Sequence, residues 1–242
     1  MQYGAVSDVG RIRKINEDSY YVENKSAYPY IIVADGMGGH QAGEVASLMA
    51  IDIIENHIAK YLHKGLEYVE AAEVIRRAFI DANSIIYNYA NDHYKILGMG
   101  TTTTLSMIYD DKLITAHVGD SRAYVIDEYS IRQITRDHSY VQELVEMGRL
   151  TPREAKTNPK KNFITRAMGA ETSIKVDIII EPYNGQTILL CSDGLSNMIE
   201  DDEIFNCVKY SRDLQTAVET LRDMANECGG TDNITVTAIR KM

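Results

Sequence analysis

The spacing of apolar residues changes along the chain, and the changes predict alternating strand-rich and helix-rich segments. Short runs of β-forming residues near the amino terminus predict strands over residues 3–6, 19–23 and 28–34. Apolar residues then recur every three or four positions, which predicts two long helices over residues 41–62 and 67–91. Because each helix has one apolar face, each is expected to pack against another layer.

The second half of the chain is predicted to contain more strands and a polar excursion from the core. Strands are predicted over residues 101–109, 113–118 and 123–126, and the turn residues between them favour antiparallel hairpins. Residues 137–169 are polar, contain Pro152 and Pro159, and predict only short helices. The remaining predicted elements are strands at 174–180 and 187–191, helices at 201–210 and 214–227, and a last strand at 234–239. No repeat or linker divides the chain, so one domain over residues 1–242 is expected, with sheets covered by helices.

Composition and charge narrow the classes of function. The 242 residues are 45% hydrophobic and 25% charged, as in an ordinary globular chain. Acidic residues outnumber basic ones by 35 to 25, and the net charge of -10 argues against nucleic acid as a partner. No apolar stretch approaches the roughly 20 residues that cross a bilayer, and the first ten residues do not resemble a signal peptide. A soluble cytoplasmic protein that does not contact membranes is therefore expected.

The cysteines indicate neither a disulfide framework nor a zinc site. There are three of them, Cys191, Cys207 and Cys228, and they are widely spaced. An odd number of distant cysteines provides no regular pairing and no pair of zinc ligands.

Four aspartates share one context, the end of an apolar strand with a glycine within two residues. Asp35, Asp120 and Asp193 each follow a predicted strand, and Asp232 precedes the last one. If these strand ends lie on one rim of the sheets, the carboxylates converge, and a cation must then offset their repulsion. Ligands that are all oxygen favour Mg²⁺ or Mn²⁺ over zinc. Two such cations would activate a shared water for attack on phosphorus, so the chemistry requires no nucleophilic Ser or Cys.

Each motif taken singly is also an ordinary turn sequence. Asp-Gly and Gly-Asp-Ser are common in turns, and this interpretation of any one of them stays open. A calcium-binding structural protein is another alternative, but the ligand spacing of calcium loops is missing and the aspartates are spread over roughly two hundred residues. Four motifs at strand ends favour a cation site, and they do not by themselves identify a reaction.

Six short motifs stand in order along almost the whole chain, at residues 10–18, 33–40, 100–102, 118–122, 191–195 and 230–235. They read Gly-Arg-Ile-Arg-Lys-Ile-Asn-Glu-Asp, Val-Ala-Asp-Gly-Met-Gly-Gly-His, Gly-Thr-Thr, Val-Gly-Asp-Ser-Arg, Cys-Ser-Asp-Gly-Leu and Gly-Thr-Asp-Asn-Ile-Thr. In this order they resemble the signature motifs of the metal-dependent serine/threonine protein phosphatases of type 2C (the PPM family), in their short bacterial form. Residues 135–139 and 162–169 are similar to that family as well. Each motif alone is weak, whereas the ordered set is specific.

The resemblance implies a fold and an activity. The family fold is α+β, a four-layer α-β-β-α sandwich of two antiparallel β-sheets flanked by helix pairs, with a flap subdomain at about residues 138–170. The implied reaction is hydrolysis of phosphoserine and phosphothreonine by direct attack of a metal-bridging water, with Mn²⁺ or Mg²⁺ as two core ions and a third. Phosphorylated proteins are the implied partners, an opposing serine/threonine kinase is the implied counterpart, and a monomer is expected.

The resemblance also implies a ligand set. The residues implied to hold cations are Glu17, Asp18, Asp35, Gly36, Asp120, Asp193 and Asp232. Asp35, Asp193 and Asp232 would bind the core ions together with the carbonyl of Gly36. Glu17 and Asp18 would act at the second ion, largely through water, and Asp120 would form a third site with Asp193.

Phosphate binding and proton donation are implied at other positions. Arg13 would bind the substrate phosphate, a task that suits its planar guanidinium. Eukaryotic relatives carry a histidine directly after the Asp-Gly pair as a proposed general acid, and this chain has Met37 there. His40 is a candidate replacement, and two alternatives stay open: His40 is a locally bonded residue at a helix start, or a metal-bound water supplies the proton.

Two other functions for the same fold remain alternatives. A pseudophosphatase would use the fold only for binding, and the intact Arg13, Asp35, Asp193 and Asp232 argue against it. A regulatory phosphatase would act on a single phosphorylated partner, and the lack of a sensor or membrane segment weakens that hypothesis.

Overall fold

A computed structural model describes residues 1–38, 42–93 and 98–241 of the chain, and those residues form two kinds of element. The strands are β1 Gln2–Asp8, β2 Asp18–Glu23, β3 Tyr30–Met37, β4 Gly100–Thr101, β5 Thr103–Tyr109, β6 Lys112–Val118, β7 Arg122–Ile126, β8 Ile131–Gln133, β9 Asp177–Pro182, β10 Thr187–Cys191 and β11 Ile234–Arg240. The helices are α1 Ala42–Tyr61, α2 Tyr68–Asp92, α3 Tyr140–Glu146, α4 Pro152–Thr157, α5 Asp193–Ser196, α6 Asp201–Tyr210 and α7 Leu214–Glu227.

The strands form two antiparallel sheets. The first sheet has the order β1-β11-β10-β7-β8, and the second has the order β2-β3-β5-β6-β9 with β4 paired to β3. Helices α1 and α2 bury their apolar faces on the outside of the second sheet, while α6 and α7 do so on the first. A third apolar cluster fills the space between the sheets. The predicted four-layer α-β-β-α sandwich is therefore confirmed.

The predicted helices agree closely with the structure, because each has both an apolar face and a defined start. The predicted helices at 201–210 and 214–227 coincide with α6 and α7. At the start of α7, the Asp213 carboxylate accepts a hydrogen bond from the Thr216 N–H at 2.8 Å. Such a side chain satisfies one of the amide groups that the first turn of a helix leaves without a partner. None of the helices within the described ranges has the length and apolar character that a transmembrane span requires.

The structure corrects several predicted strands. The predicted strand at 174–180 is wrong at its start, because β9 begins only at Asp177. Ile174 and Val176 are apolar because they pack against the core beneath the helix pair, outside any strand. The predicted strand at 101–109 is divided at Thr102, whose N–H donates to the carbonyl of Asp35 at 2.9 Å. The three-residue β8 and the four-residue α5 were not predicted, since neither is long enough to show a period.

The flap, residues 138–170, leaves the core between β8 and β9 and contains α3 and α4. One isolated β-bridge joins Met168 of the flap to Thr101 of the core, and a second joins Ser139 to Ile164 within the flap. At its base the His138 N–H donates to the Gly119 carbonyl at 2.7 Å. The role of this segment as a flap subdomain stays a prediction.

Strand β1 forms one edge of the first sheet and pairs with β11, which comes last along the chain. The Ser7 and Thr235 hydroxyls lie 2.7 Å apart across this pair, although they are 228 positions apart in sequence. On the other side, the Gln215 amide of α7 bonds to both the N–H and the C=O of Ala5, each at 3.1 Å. Such contacts cover backbone groups that an edge strand would otherwise expose.

Candidate active site

The ends of strands from both sheets meet around a cavity of about 280 Å³ at one edge of the sandwich. Seven of the residues implicated by the sequence line it: Arg13, Glu17, Asp35, Gly36, Asp120, Asp193 and Asp232. Asp18 is buried and lies opposite Asp35 in the β2–β3 pair. His40, the candidate general acid, lies outside the described residues. The structure therefore brings together the predicted carboxylates that it describes, and their role as ligands stays a proposal.

Each aspartate reaches the cavity from a different element. Asp35 lies near the end of β3, in the second sheet, while Asp193 begins α5 directly after β10 of the first sheet. Asp120 follows β6 and Asp232 precedes β11. Side chains far apart in sequence thus converge because both sheets end at the same edge.

Two glycines allow the close packing that this edge requires. A Cβ on Gly36 would lie 2.0 Å from the Gly43 carbonyl oxygen, and one on Gly194 would lie 1.9 Å from the Asn233 carbonyl oxygen. No side chain can occupy either space without a shift of the backbone. Gly36 and Gly194 are therefore required by packing.

Burial and mutual repulsion raise the pKa values of four aspartates in this cluster, Asp18, Asp35, Asp120 and Asp193. Burial raises the pKa of Asp35 well above its usual range, and the neighbouring Asp18 and Asp193 add to the effect. Burial likewise raises the pKa of Asp18 to about 7, although the Ser192 hydroxyl, which donates to its Oδ2 at 2.7 Å, opposes the rise. The pKa of Asp120 rises to about 8, through burial first and the Asp193 charge second. Ionisation of this cluster is unfavourable unless a positive charge compensates it.

Several features of this cluster fit a divalent cation. Within the described ranges, Glu17 Oε1 and Asp18 Oδ1 are buried without any hydrogen-bond partner. An acceptor of this kind costs free energy unless a donor or a cation reaches it. The donors around the cavity are carboxylate and carbonyl oxygens, which Mg²⁺ and Mn²⁺ prefer.

Side chains alone do not complete a coordination shell. Nowhere in the described part of the chain do three or more His, Cys, Asp or Glu side chains form a group that could hold an ion by itself. A cation at this edge would therefore take part of its shell from a backbone carbonyl such as that of Gly36, or from water. The residues present fit the hydrated octahedral shell of a small hard cation better than a closed cage of side chains.

Arg13 brings a positive charge to the mouth of the cavity. Its Nη2 donates to Asp232 Oδ2 at 2.8 Å, and 48% of its side chain is exposed. Burial lowers the pKa of this guanidinium, and the Asp232 carboxylate outweighs that effect and raises it. The guanidinium stays charged and keeps donors available to a second anion, since it carries five N–H groups.

The turn that carries Asp120 is held from the base of the flap. His138 Nδ1 accepts a hydrogen bond from the Gly119 N–H at 2.9 Å. Nε2 lies 3.1 Å from Asp177 Oδ2 and 2.8 Å from Arg166 Nη1, and Arg166 also donates to Asp177 Oδ1 at 2.9 Å. Arg122 forms a two-pronged pair with Asp137, the residue directly before His138. The histidine and the arginine thus hold the structure around the cavity.

Sequence reasoning assigned no role to three residues that touch the site. Ser192 donates to Asp18, and Thr102 accepts from the Asp35 N–H at 3.2 Å. The side chain of Asn233 bonds to the loop that carries Arg13. All three belong to the quoted motifs, so membership of a motif was the signal that could have found them.

The cysteine next to the site has no nucleophilic role. Cys191 is fully buried, and burial raises the pKa of its thiol to about 12. The thiol is therefore protonated at neutral pH and out of reach of a substrate.

Met37 lines the cavity at the position where the family resemblance implies a histidine in eukaryotic relatives.

Known proteins resemble this chain in both sequence and fold. The sequence profile of the family described as Protein phosphatase 2C matches residues 7–234. The serine/threonine phosphatase stp of Listeria monocytogenes is 39% identical over 237 residues, which cover 97% of this chain and 94% of the relative. The crystal structure of the serine/threonine phosphatase Stp1 from Staphylococcus aureus superposes with a TM-score of 0.93 at 34% identity, covering 100% of this chain and 96% of that one. The catalytic domain of the serine/threonine protein phosphatase PstP, solved with two manganese ions, gives a TM-score of 0.85 at 33% identity, with 100% and 98% covered.

Proposed function

The chain belongs to the protein phosphatase 2C family, and from that premise we propose that it hydrolyses phosphoserine and phosphothreonine in proteins with the help of Mn²⁺ or Mg²⁺. The observation that supports this proposal most directly is the convergence of five carboxylates of the ligand set and Arg13 on one cavity. Phosphoryl transfer needs cations to neutralise the phosphate and a fixed positive charge to orient it, and this cavity contains the groups for both.

The proposed ligand set is the one that the family resemblance implies. Asp35, Asp193, Asp232 and the Gly36 carbonyl would hold two core cations. Glu17 and Asp18 would act at the second of these, largely through water. Asp120 and Asp193 would hold a third. When bound, the core cations would lower the pKa of a water that they share and favour its in-line attack on phosphorus.

The residues of the chain perform the other tasks. Arg13 takes the phosphate oxygens in its guanidinium and orients the phosphorus toward the carboxylate cluster. Met37 has no proton to donate, so the proton for the leaving alkoxide would come from His40, the candidate general acid, or from a metal-bound water. Cys191 takes no part, because its buried thiol is protonated.

The proposed cellular role is the one that the family resemblance implies. Phosphorylated proteins are the substrates, and a serine/threonine kinase of the same cell opposes the enzyme. The proposal includes a cytoplasmic location and a monomeric state. A pseudophosphatase and a single-partner regulatory phosphatase are the outcomes against which the next experiment discriminates.

The test is a titration of the purified protein with Mn²⁺ in the presence of a phosphothreonine peptide. Phosphate release should be absent in chelator, rise with the cation concentration and saturate. The same peptide with Asp in place of phosphothreonine serves as the blank. If no cation concentration gives phosphate release while the protein is folded, the proposed function is wrong, and the chain is either a pseudophosphatase or a regulatory phosphatase that does not accept this peptide.

Replacement of Arg13 tests the proposed phosphate contact. A guanidinium–phosphate hydrogen bond is charge-assisted, so Arg13→Ala should lose about 1.5–3 kcal/mol of substrate binding, which is roughly a ten- to hundredfold rise in KM. Because this contact is proposed to exist before and during the reaction, kcat should fall much less. Steady-state kinetics with the phosphothreonine peptide measures both.

Lys14 provides the matched control for this variant. It is an exposed cation beside Arg13, and Lys14→Ala removes the same formal charge. A general electrostatic effect would change KM equally in both variants and would disappear at high salt. An unchanged KM in Arg13→Ala would remove this residue from the site.

A further inference from the structure

The segment that carries Arg13 has little support of its own. We call residues 9–16, between β1 and β2, the arginine loop. It contains no helix or strand, and residues 11–15 are exposed. Loops with few buried contacts open locally at a low cost in free energy. Something outside the loop must therefore fix the position of Arg13.

One buried side chain bonds to the loop at both of its ends. Asn233 is 4% exposed, and its Nδ2 donates to the Val9 and Ile15 carbonyl oxygens, each at 3.0 Å. Its Oδ1 accepts from the Glu17 N–H at 2.8 Å. Both amide donors meet carbonyls and the amide oxygen meets an N–H, so the partners define the orientation of the amide group.

The residue before it holds the arginine itself. Asp232 Oδ2 accepts from Arg13, while its Oδ1 accepts from the Asn233 N–H at 2.9 Å. A third contact joins the same segments, since the Arg11 N–H donates to the Gly230 carbonyl at 2.8 Å. The turn before β11 thus fixes both the backbone of the arginine loop and the side chain that it carries.

We propose that Asn233 is a positioning residue for phosphate binding, because its amide closes the arginine loop and so holds Arg13 over the carboxylate cluster. This inference rests on the proposed function, in which Arg13 binds the substrate phosphate. All the polar atoms of the Asn233 side chain are engaged by backbone groups of residues 9–17. Asn233 therefore acts through Arg13 and is not proposed to touch the phosphate.

The first test is a double-mutant cycle in KM. If Asn233 acts through Arg13, Asn233→Ala should raise KM for the phosphothreonine peptide by roughly tenfold, and by no more than Arg13→Ala does. In the double variant the two effects should not multiply, since a misplaced Arg13 and an absent Arg13 are equivalent. A merely structural role would instead give independent effects that multiply.

Asn83 provides the matched control, because it is a second buried asparagine that clamps a loop. It is 1% exposed, its Nδ2 donates to the Glu171 carbonyl at 3.0 Å, and its Oδ1 accepts from the Gly169 N–H at 2.8 Å. Asn83→Ala should lower the melting temperature to a similar degree and leave KM unchanged. The comparison separates loss of stability from loss of position.

The second test reports on the loop without any use of activity. Trypsin cleaves after Lys and Arg, and the arginine loop contains Arg11, Arg13 and Lys14. Under native conditions, cleavage in this loop should be roughly tenfold faster in Asn233→Ala than in wild type. Asn83→Ala should be cut there at the wild-type rate. Mass spectrometry of the fragments locates the cut.

An isosteric variant covers the case in which Asn233→Ala does not fold. Asn233→Asp keeps the volume and the acceptor for the Glu17 N–H, but it places an oxygen against the Val9 and Ile15 carbonyls. It should therefore show the same rapid cleavage and the same raised KM.

The two tests fail in different ways. Multiplying KM effects, an unchanged KM, or cleavage no faster than in Asn83→Ala would each overturn the role of Asn233. An absence of cation-dependent phosphate release in wild type would overturn the proposed function, and the cleavage rates would still decide whether Asn233 closes the loop.

Discussion

Asp193→Asn and Asp35→Asn should each lose nearly all turnover and most of the affinity for Mn²⁺. Asn keeps the shape of Asp and loses the negative charge that the proposed cations require. The transition-state stabilisation that such cations provide is several kcal/mol, so a loss of roughly a thousandfold in kcat is expected. Calorimetric titration with Mn²⁺ and steady-state kinetics measure the two losses separately.

These variants should not lower the melting temperature of the metal-free protein. In chelator, removal of one charge from a buried and mutually repelling cluster relieves repulsion, so the variants should melt at the wild-type temperature or above it. Mn²⁺ should stabilise wild type by mass action, because the cation binds the folded site and hardly the unfolded chain. The variants should gain little.

Asp213 provides the contrasting control, since its carboxylate caps α7 far from the cavity. Asp213→Ala should lose about 1 kcal/mol of stability in chelator and in Mn²⁺ alike, and should keep full activity in its folded fraction. If Asp193→Asn behaved in this way, melting well below wild type in chelator yet still gaining stability from Mn²⁺, its assignment as a ligand would be wrong.

The stability of the protein in chelator should fall as the pH rises from 6.5 to 8.5. Burial raises the folded-state pKa of Asp18 to about 7 and of Asp120 to about 8, from an ordinary value of 3.8. The folded protein therefore holds protons that the unfolded chain has already lost, and stability decreases with pH until these groups ionise. Melting temperatures in a chelating buffer across this range measure the effect.

Between pH 6.5 and 8.5, the change in stability reports on the carboxylates and not on the buried imidazole groups. Burial lowers the pKa of His117 to about 4, so its ionisation on unfolding changes stability in the opposite direction, and only below its ordinary pKa of 6.5. Asp120→Asn should flatten the decline between pH 7 and 8.5. Saturating Mn²⁺ should reverse the slope, because cation binding requires ionised ligands. If the melting temperature in chelator does not change with pH, the carboxylates are not forced together as described.

Periodicity predicted the long elements well because burial of one face is visible in the sequence. The core-facing residues of α2 and α7 recur at helical spacing, and those helices were found within two residues of their predicted ends. The same reasoning placed the start of β9 too early, because Ile174 and Val176 are apolar without being in a strand. Hydrophobicity indicates burial, and it indicates secondary structure only when a period accompanies it.

The candidate site was partly predictable for a different reason. Strand-end aspartates next to glycines are visible locally, so their convergence could be inferred before any coordinates. The contacts of Asn233 with Val9 and Glu17 join positions 224 and 216 residues apart, and no local pattern carries that information. His138 likewise required the structure, since a lone histidine in a polar segment does not reveal which backbone group it contacts.

The pairing of β1 with β11 has a consequence for how the chain folds during synthesis. Among the strands of the described residues, all others are made before β11, and β1 is paired only with β11. Contacts between such distant positions form slowly and late. On the ribosome, β1 and the arginine loop must therefore wait with exposed backbone groups while the intervening strands and helices emerge. A nascent chain stalled before residue 230 would contain Asp35, Asp120 and Asp193 but no fixed Arg13, so catalytic competence would arrive only with the final strand.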